Sequence, residues 1–207
     1  MTAARGRFFT FEGIDGSGKS TQARRLAAAL EAEGHEAILT REPGGAPGAE
    51  AIRELVLTGE PDRWSPETEI LLFTAARRDH LERLIRPSLE AGKLVLCDRF
   101  ADSTRVYQGL TRGDLTKTVD ALHELMIGLE PDVTFLLDAD PETSLRRGLT
   151  RGGELRFEGF GLDMQERARA GFLALAAAAP ARFRVIDANR SEEEIAADIL
   201  AAAKEAL

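Results

Sequence analysis

Cysteine is scarce in this sequence and long apolar runs are missing. The 207 residues include a single cysteine, Cys97, so no disulfide can form within the chain, a pattern typical of a reducing compartment. Cys97 ends an apolar run and is expected to be a buried strand thiol rather than a nucleophile. The longest apolar stretch, around Leu173–Ala179, is too short to span a bilayer, and the first seven residues lack the apolar core of a signal peptide. We therefore expect a cytoplasmic protein without a membrane partner.

The chain also lacks an excess of positive charge. Its formal net charge is −8, whereas non-specific binding to nucleic acid needs a basic surface, so no nucleic-acid partner is expected. No N-K-x-D motif for guanine binding is present, which argues against a GTPase, and motor ATPases are usually larger. The length and the 43% hydrophobic content suit one domain over residues 1–207, because chains split into domains only beyond roughly 250–300 residues.

Short apolar runs alternate with segments of helical periodicity. The pattern predicts strands at 7–12, 36–40, 93–97, 133–137 and 183–186. It predicts helices at 19–33, 49–58, 114–128 and 162–178, and further helices that begin near 65, 141 and 191. Pro87 is expected to kink or interrupt the helix that begins near Ser65. Alternation of this kind predicts an α/β fold, with a parallel sheet covered by helices on both faces.

Two connecting segments are expected to carry functional residues. The segment after Asp98, up to the helix at 114, is interpreted as a loop. Residues 151–161 are rich in glycine and arginine and are interpreted as a mobile loop, which we place within a lid at about 147–161.

A glycine-rich motif follows the first predicted strand. Residues 13–20 (GIDGSGKS) match G-x-x-x-x-G-K-[ST] in full, with a strand before the motif and a helix after it. Backbone N–H groups of such a P-loop surround phosphates, and the helix N-terminus adds partial positive charge. The expected nucleotide-binding residues are Gly13, Ile14, Asp15, Gly16, Ser17, Gly18, Lys19, Ser20 and Thr21. The alternative, a glycine-rich turn without a ligand, does not explain the full motif.

A carboxylate at the end of another strand should complete a Mg²⁺ site with the Ser20 hydroxyl. Asp98 follows the strand at 93–97 and is our candidate. Asp138, after the strand at 133–137, is the rival. The alternative for Asp98 is a strand-end carboxylate that caps the next segment.

The small size and the arginines late in the chain favour a nucleotide kinase, with two facing phosphate sites and a lid that excludes water. Five stretches resemble thymidylate kinases: FEGIDGSGKSTQ at 11–22, TREPGG at 40–45, LFTAAR at 72–77, DRF at 98–100 with Ser103, Thr104 and YQG at 107–109, and RGGELRFE at 151–158. Their order along the chain is that of the family, and together they are specific. The fold is then expected to be the three-layer P-loop NTPase fold, with a five-stranded parallel sheet and a lid loop.

The resemblance implies phosphorylation of dTMP to dTDP by Mg·ATP, in dTTP synthesis, usually by a homodimer. By the same resemblance, Phe73 would stack on thymine, Arg77, Ser103, Thr104 and Gln108 would contact the base edge, and Arg99 would hold the acceptor phosphate. Tyr107 would lie against the 2′ face of the sugar, Asp15 near the acceptor sugar or phosphate, and Glu42 and Arg53 near the acceptor. Phe73 and Arg77 are four residues apart, hence on one helix face; a core phenylalanine and a solvated arginine are the alternative.

Phosphoryl transfer needs positioning and positive charge more than a general base, because the acceptor phosphate is already largely a dianion at neutral pH. We therefore interpret His35, His80 and His123 as structural or surface groups. The expected catalytic residues are Lys19, Asp15, Arg99 and, in the lid, Arg151 and Arg156, as in bacterial relatives. Arg147 is left open as a solvated charge or an adenine-stacking group, and Leu149 departs from the basic residue often found there. Two other functions remain open. One is another P-loop nucleotide or deoxynucleoside kinase, the latter with Glu42 or Asp98 as base, and the other is a nucleotide-binding protein without turnover.

Overall fold

Five parallel strands form one sheet. The structure is a computed structural model that describes residues 5–60, 62–111, 113–149 and 161–207. The strands are β1 (Phe8–Glu12), β2 (Ala37–Arg41), β3 (Leu94–Asp98), β4 (Val133–Asp138) and β5 (Phe183–Asp187), in the spatial order β2, β3, β1, β4, β5. All neighbouring pairs are parallel. The predicted sheet is therefore confirmed, and each strand end lies within one residue of its predicted position.

Helices connect the strands. They are α1 (Lys19–Ala32), α2 (Pro47–Leu57), α3 (Pro66–His80), α4 (Arg86–Glu90), α5 (Ala101–Thr104), α6 (Thr116–Met126), α7 (Pro141–Leu149), α8 (Gly161–Ala178) and α9 (Glu192–Lys204). Ser65 caps α3 by accepting a hydrogen bond from the Thr68 backbone, and Ser191 with Glu194 forms the capping box of α9. None of the described helices combines the length and apolar character needed to cross a membrane.

Apolar side chains cover both faces of the sheet, because alternate residues of a strand point to opposite sides. On one face, Phe9 and Phe11 of β1 pack in a cluster that contains residues of α1 and α9. On the other face, Phe8 packs with Leu81 and Ile85, which follow α3. The three phenylalanines of β1 are fully buried, so the central strand is anchored on both sides.

The strand order brings two connecting segments to one edge. Phe11 of β1 pairs with Asp98 of β3, so the P-loop after β1 and the segment after β3 leave the sheet side by side. Chain connections diverge at this point, because β1 lies between β3 and β4. Such a switch point at the carboxyl ends of parallel strands is the usual place for a ligand crevice.

One local prediction was wrong and one was confirmed. The segment after Asp98 is helical rather than a loop: α5 continues into a π-helical segment at Arg105–Leu110. Regular α-helical geometry is interrupted before Pro87, as expected: α3 ends at His80, and a π-helical turn at Leu81–Ile85 precedes α4, which has Pro87 in its first turn. Proline has no backbone N–H and its ring crowds the preceding turn, so the i→i−4 hydrogen-bond pattern cannot continue unchanged through it.

Candidate active site

A cavity of about 280 Å³ lies at the switch point. Its lining combines the P-loop with side chains from α2, α3, the end of β3 and the helical segment 101–110. The predicted residues that line it are Asp15, Gly16, Gly18, Lys19, Ser20, Glu42, Arg53, Phe73, Arg77, Asp98, Arg99, Ser103, Thr104, Tyr107 and Gln108. The structure therefore brings the predicted nucleotide-binding and acceptor-binding groups to one cavity.

Four predicted P-loop residues do not line the cavity. Ile14 is buried in an apolar cluster with Val106 and Phe172. Gly13 and Ser17 contribute acceptors to Lys19, and Thr21 is half-buried in the first turn of α1. These four residues therefore contribute to the phosphate-binding loop through their backbone rather than through an exposed side chain.

Lys19 is held by the loop that carries it. Its Nζ donates to the Gly13 carbonyl at 3.1 Å and to the Ile14 carbonyl at 2.7 Å. Only 6% of its surface is exposed, and this burial, with the nearby Arg99 charge, lowers the pKa of Lys19 to about 8. A phosphate that binds here would replace the carbonyl oxygens as hydrogen-bond acceptor of Lys19 Nζ. Its negative charge would favour the charged form of the lysine.

The Ser20 hydroxyl donates a short hydrogen bond to Asp98 Oδ2. The two groups supply oxygen ligands of the kind that Mg²⁺ takes from proteins, with water and phosphate completing its shell. Asp138, the rival candidate, instead forms two hydrogen bonds with Arg169, at 2.5 and 2.9 Å, and does not line the cavity. Ser20 and Asp98 are therefore the residues that would hold a Mg²⁺ ion here, in place of the hydrogen bond that now joins them.

Arg99 connects the P-loop to the segment after β3. Its Nη2 donates to Asp15 at 2.5 Å, and its Nη1 donates to the Gly13 carbonyl at 3.2 Å and to Ser103 Oγ at 2.9 Å. Burial alone would raise the pKa of Asp15, but the Arg99 and Lys19 charges outweigh it and lower that pKa. Arg99 also adopts a positive φ of 69°, which is uncommon for a non-glycine residue and is often found at functional sites.

The α3 helix presents an aromatic ring and a guanidinium to the cavity. Phe73 and Arg77 both line it, as the four-residue spacing predicts. Arg77 is fixed on two sides: its Nε donates to Glu42 at 2.7 Å, and its Nη2 donates to Thr104 Oγ1 at 3.0 Å and to the Phe100 carbonyl at 3.2 Å. Glu42 is therefore a partner of Arg77 in this arrangement.

The helical segment 101–110 packs against α3 and also lines the cavity. Gln108 donates to Glu69 of α3 at 3.0 Å. The Tyr107 ring packs edge-on against Phe172, at 6.0 Å between ring centres, and the Arg99 guanidinium lies 5.4 Å from its centre. Its hydroxyl is buried near Asp15 and Arg99 but forms no hydrogen bond of normal geometry within the described residues. On the remaining side, Arg53 of α2 donates to the Pro43 carbonyl at 2.6 Å.

The sequence did not reveal the contacts by which three buried side chains support this lining. Glu12 accepts hydrogen bonds from Phe100 and Ser103, Glu69 holds Gln108, and His80 bonds both Glu42 and Thr40. Burial, reinforced by the Asp102 charge, raises the pKa of Glu12 to about 7. Two signals were visible: a charged residue ending a phenylalanine-rich strand, and a glutamate one turn before Phe73 in the sequence.

Most of the predicted lid, residues 150–160, lies outside the described residues. Arg151 and Arg156 lie outside the described residues, whereas Arg147 is exposed in the last turn of α7. The three histidines do not line the cavity: His80 and His123 are buried and His35 is exposed. This placement agrees with the prediction that they are structural or surface groups.

Comparison with known proteins adds an independent line of support. The family model described as thymidylate kinase matches residues 11–199. The chain is 68% identical to the thymidylate kinase of Ruegeria pomeroyi over 94% of this chain and 92% of that protein, and 67% identical to that of Dinoroseobacter shibae over 95% of each. The crystal structure of thymidylate kinase from Ehrlichia chaffeensis superposes with a TM-score of 0.79 at 34% identity, covering 96% of this chain and 99% of that one. The chain belongs to the thymidylate kinase family.

Proposed function

We propose that this protein transfers the γ-phosphoryl group of ATP to dTMP, giving ADP and dTDP. The observation that carries the proposal is that one cavity is lined by both the P-loop lysine and the Phe73–Arg77 pair of α3. A donor triphosphate on the P-loop and an acceptor base against α3 would bring their phosphates together beside Arg99. The names of the relatives point to the same acceptor.

In this reaction an oxygen of the acceptor phosphate attacks the γ-phosphorus, and the bond to the β,γ-bridging oxygen breaks, so that ADP leaves. The acceptor oxygen is already deprotonated at neutral pH, hence no side chain needs to take a proton. What the protein must supply is cationic charge between two repelling phosphates, strongest at the transition state. Lys19 serves the donor, Arg99 serves the acceptor, and Arg151 and Arg156 are proposed to add charge from the lid.

The cofactor in this proposal is Mg²⁺, held by Ser20 directly or through water and by Asp98. When bound, it would neutralise charge on the β- and γ-phosphates. Asp15 keeps Arg99 in place through their ion pair and is proposed to lie near the acceptor sugar. Tyr107, Ser103 and Thr104 complete the acceptor side.

A homodimer in the cytoplasm is part of the same proposal. Large apolar side chains are exposed on two contacting helices, Leu71 of α3 and Leu125 and Met126 of α6. The single cysteine, Cys97, is buried, as suits a reducing compartment. Light scattering of the parent and of Leu125→Glu tests the dimer, because a charge at a buried interface should shift the mass to that of a monomer.

The activity is tested with a panel of nucleoside monophosphates and thymidine, each with Mg·ATP, reading product and ADP together. We expect dTMP to be the preferred acceptor and thymidine to be inactive. Lys19→Met keeps the aliphatic stem of the lysine and should lower turnover roughly a hundredfold or more. Turnover of thymidine with no product from dTMP would support the deoxynucleoside kinase instead, and nucleotide binding without ADP formation would support the non-catalytic alternative.

A further inference from the structure

Glu69 and Gln108 form a buried pair between α3 and the segment 101–110. The glutamate is fully buried and 3% of the glutamine surface is exposed. Gln108 Nε2 donates to Glu69 Oε2 at 3.0 Å, and this is the only hydrogen bond of the Gln108 side-chain amide within the described residues. Gln108 lines the cavity, whereas Glu69 does not. Glu69 is therefore placed behind a residue that a ligand can touch.

The carboxylate decides which end of the amide faces it. An ionised carboxylate only accepts hydrogen bonds, while a glutamine amide has a donating NH₂ and an accepting carbonyl oxygen. The NH₂ end must therefore lie toward Glu69, and the carbonyl oxygen is the polar group left for the cavity. Without this partner, the amide could turn by about 180° and offer a donor instead.

A hydrogen-bond donor, the Arg77 guanidinium, complements the accepting oxygen of Gln108 and lies on the same face of α3 as Glu69. Arg77 is eight residues beyond Glu69, about two helical turns, with Phe73 between them. Arginine only donates, and the Arg77 guanidinium is fixed by Glu42 and Thr104. Arg77 and Gln108 both line the cavity, so its wall presents a donor at Arg77 and an acceptor at Gln108.

We propose that Glu69 is a positioning residue that sets base specificity by holding the Gln108 carbonyl oxygen toward the acceptor base. This inference rests on the proposed function. A thymine or uracil ring offers an O4 acceptor beside an N3–H donor, which matches Arg77 and the Gln108 oxygen. A cytosine ring has the reverse pattern, an amino donor beside an N3 acceptor, and meets a like group at both positions. Arg77 cannot change its character, whereas the Gln108 amide can, so Glu69 is the residue that fixes the pattern.

The test uses Glu69→Gln, which preserves shape but can face Gln108 with either end of its amide. The expected result is that the ratio of kcat/KM for dTMP over dCMP falls roughly tenfold, as for one hydrogen bond. The ratio of dTMP over dUMP should stay at the parent value, since both bases present the same O4 and N3–H groups. The KM for ATP should also stay unchanged. Glu67→Gln, the same substitution at an exposed position of α3, is the matched control.

Calorimetric binding of dTMP and dCMP gives the same comparison without turnover, so failure of the proposed activity is separable from failure of this inference. An unchanged dTMP-to-dCMP ratio in Glu69→Gln, or an equal loss for dTMP, dUMP and dCMP with a raised KM for ATP, would overturn it.

A swapped pair, Glu69→Gln with Gln108→Glu, covers the case in which Glu69→Gln does not fold. It keeps the hydrogen bond between the helices and places a carboxylate, which cannot donate, at the cavity. The swapped pair should retain the preference for dTMP over dCMP. Equal binding of dTMP and dCMP by the swapped pair would contradict the proposal.

Discussion

Glu12 and Ser103 are joined by two hydrogen bonds, from the Ser103 backbone N–H to Oε1 at 3.2 Å and from the Ser103 hydroxyl to Oε2 at 2.6 Å. The same hydroxyl accepts from Arg99 Nη1 at 2.9 Å. A fully buried carboxyl at the end of β1 thus positions, through one serine, the arginine that we place at the acceptor phosphate.

The pKa of Glu12 predicts a pH dependence of stability. Burial raises this pKa from 4.5 to about 7, so the folded state binds the proton more tightly than the unfolded state. The resulting stability is fully present below about pH 4.5 and is lost as the pH rises through about 7. Denaturant titrations should therefore show that the free energy of unfolding of Glu12→Gln, relative to that of the parent, rises by on the order of 3 kcal/mol from pH 5 to pH 8. Glu31→Gln, exposed on α1, should follow the parent, and a Glu12→Gln difference that is constant with pH would contradict the prediction.

Gly16 is expected to tolerate no side chain. Its φ is +81°, and an added Cβ would lie 2.1 Å from the Ser144 carbonyl oxygen of α7. Gly34 has a φ of +90° with nothing within 4 Å of an added Cβ. Gly34→Ala should therefore lower the free energy of unfolding by about 1 kcal/mol, from the positive φ alone. Gly16→Ala should lower it by roughly 1–3 kcal/mol more, because of the clash with Ser144. Thermal unfolding compares the two directly, and equal losses would mean that α7 moves away freely.

ATP binding should be coupled to proton uptake through Lys19. Its pKa is lowered to about 8 in the free protein, and phosphate oxygens near Nζ would raise it. Affinity for ATP should consequently fall as the pH rises through about 8. Calorimetry at pH 8.5, in two buffers of different ionisation enthalpy, should detect uptake of a fraction of a proton. Lys19→Arg, which stays charged at this pH, should bind ATP without that uptake; if it takes up the same amount, another group is responsible.

Substitution of the lid arginines should affect turnover more than binding. Arg151→Ala and Arg156→Ala should each lower kcat while the affinity for ATP changes little, because a charge that acts at the transition state has that signature. Arg167→Ala, at an exposed position of α8, is the control. Single-turnover kinetics with a separate measurement of ATP binding distinguishes the effects. Weaker ATP binding at unchanged kcat would make the two arginines binding residues only.

Sugar selectivity should depend on the Tyr107 ring. A ring packed against the 2′ carbon leaves no room for a 2′-hydroxyl and offers it no hydrogen bond in place of those it makes with water. The cost of burying that hydroxyl is about 1–3 kcal/mol. It corresponds to roughly a ten- to hundredfold difference in kcat/KM. Tyr107→Ala should lower the ratio of kcat/KM for dTMP over its ribonucleotide. Tyr107→Phe keeps the ring and should leave that ratio at the parent value. A preference unchanged in Tyr107→Ala would show that the ring does not contact the sugar.

The sequence by itself determined the strand positions and the phosphate-binding loop. Both depend on local chemistry: apolar runs of strand length, glycines that expose backbone N–H groups, and a lysine and a serine at fixed spacing. The helix-face relationship of Phe73 and Arg77 is equally local, because it follows from helical geometry once the segment is known to be a helix.

Only the tertiary structure decided which residues meet. That Asp98 rather than Asp138 contacts Ser20 follows from the strand order, which places β3 beside β1 and lets Arg169 of α8 pair with Asp138. Residues 101–110 are helical, which their sequence did not indicate, because packing against α3 and α8 outweighs weak local preference. The pairs Glu12–Ser103, Glu42–Arg77 and Glu69–Gln108 join residues 35 to 91 positions apart. Burial of each carboxylate requires its partner, and no spacing rule within one sequence encodes a contact made across the fold.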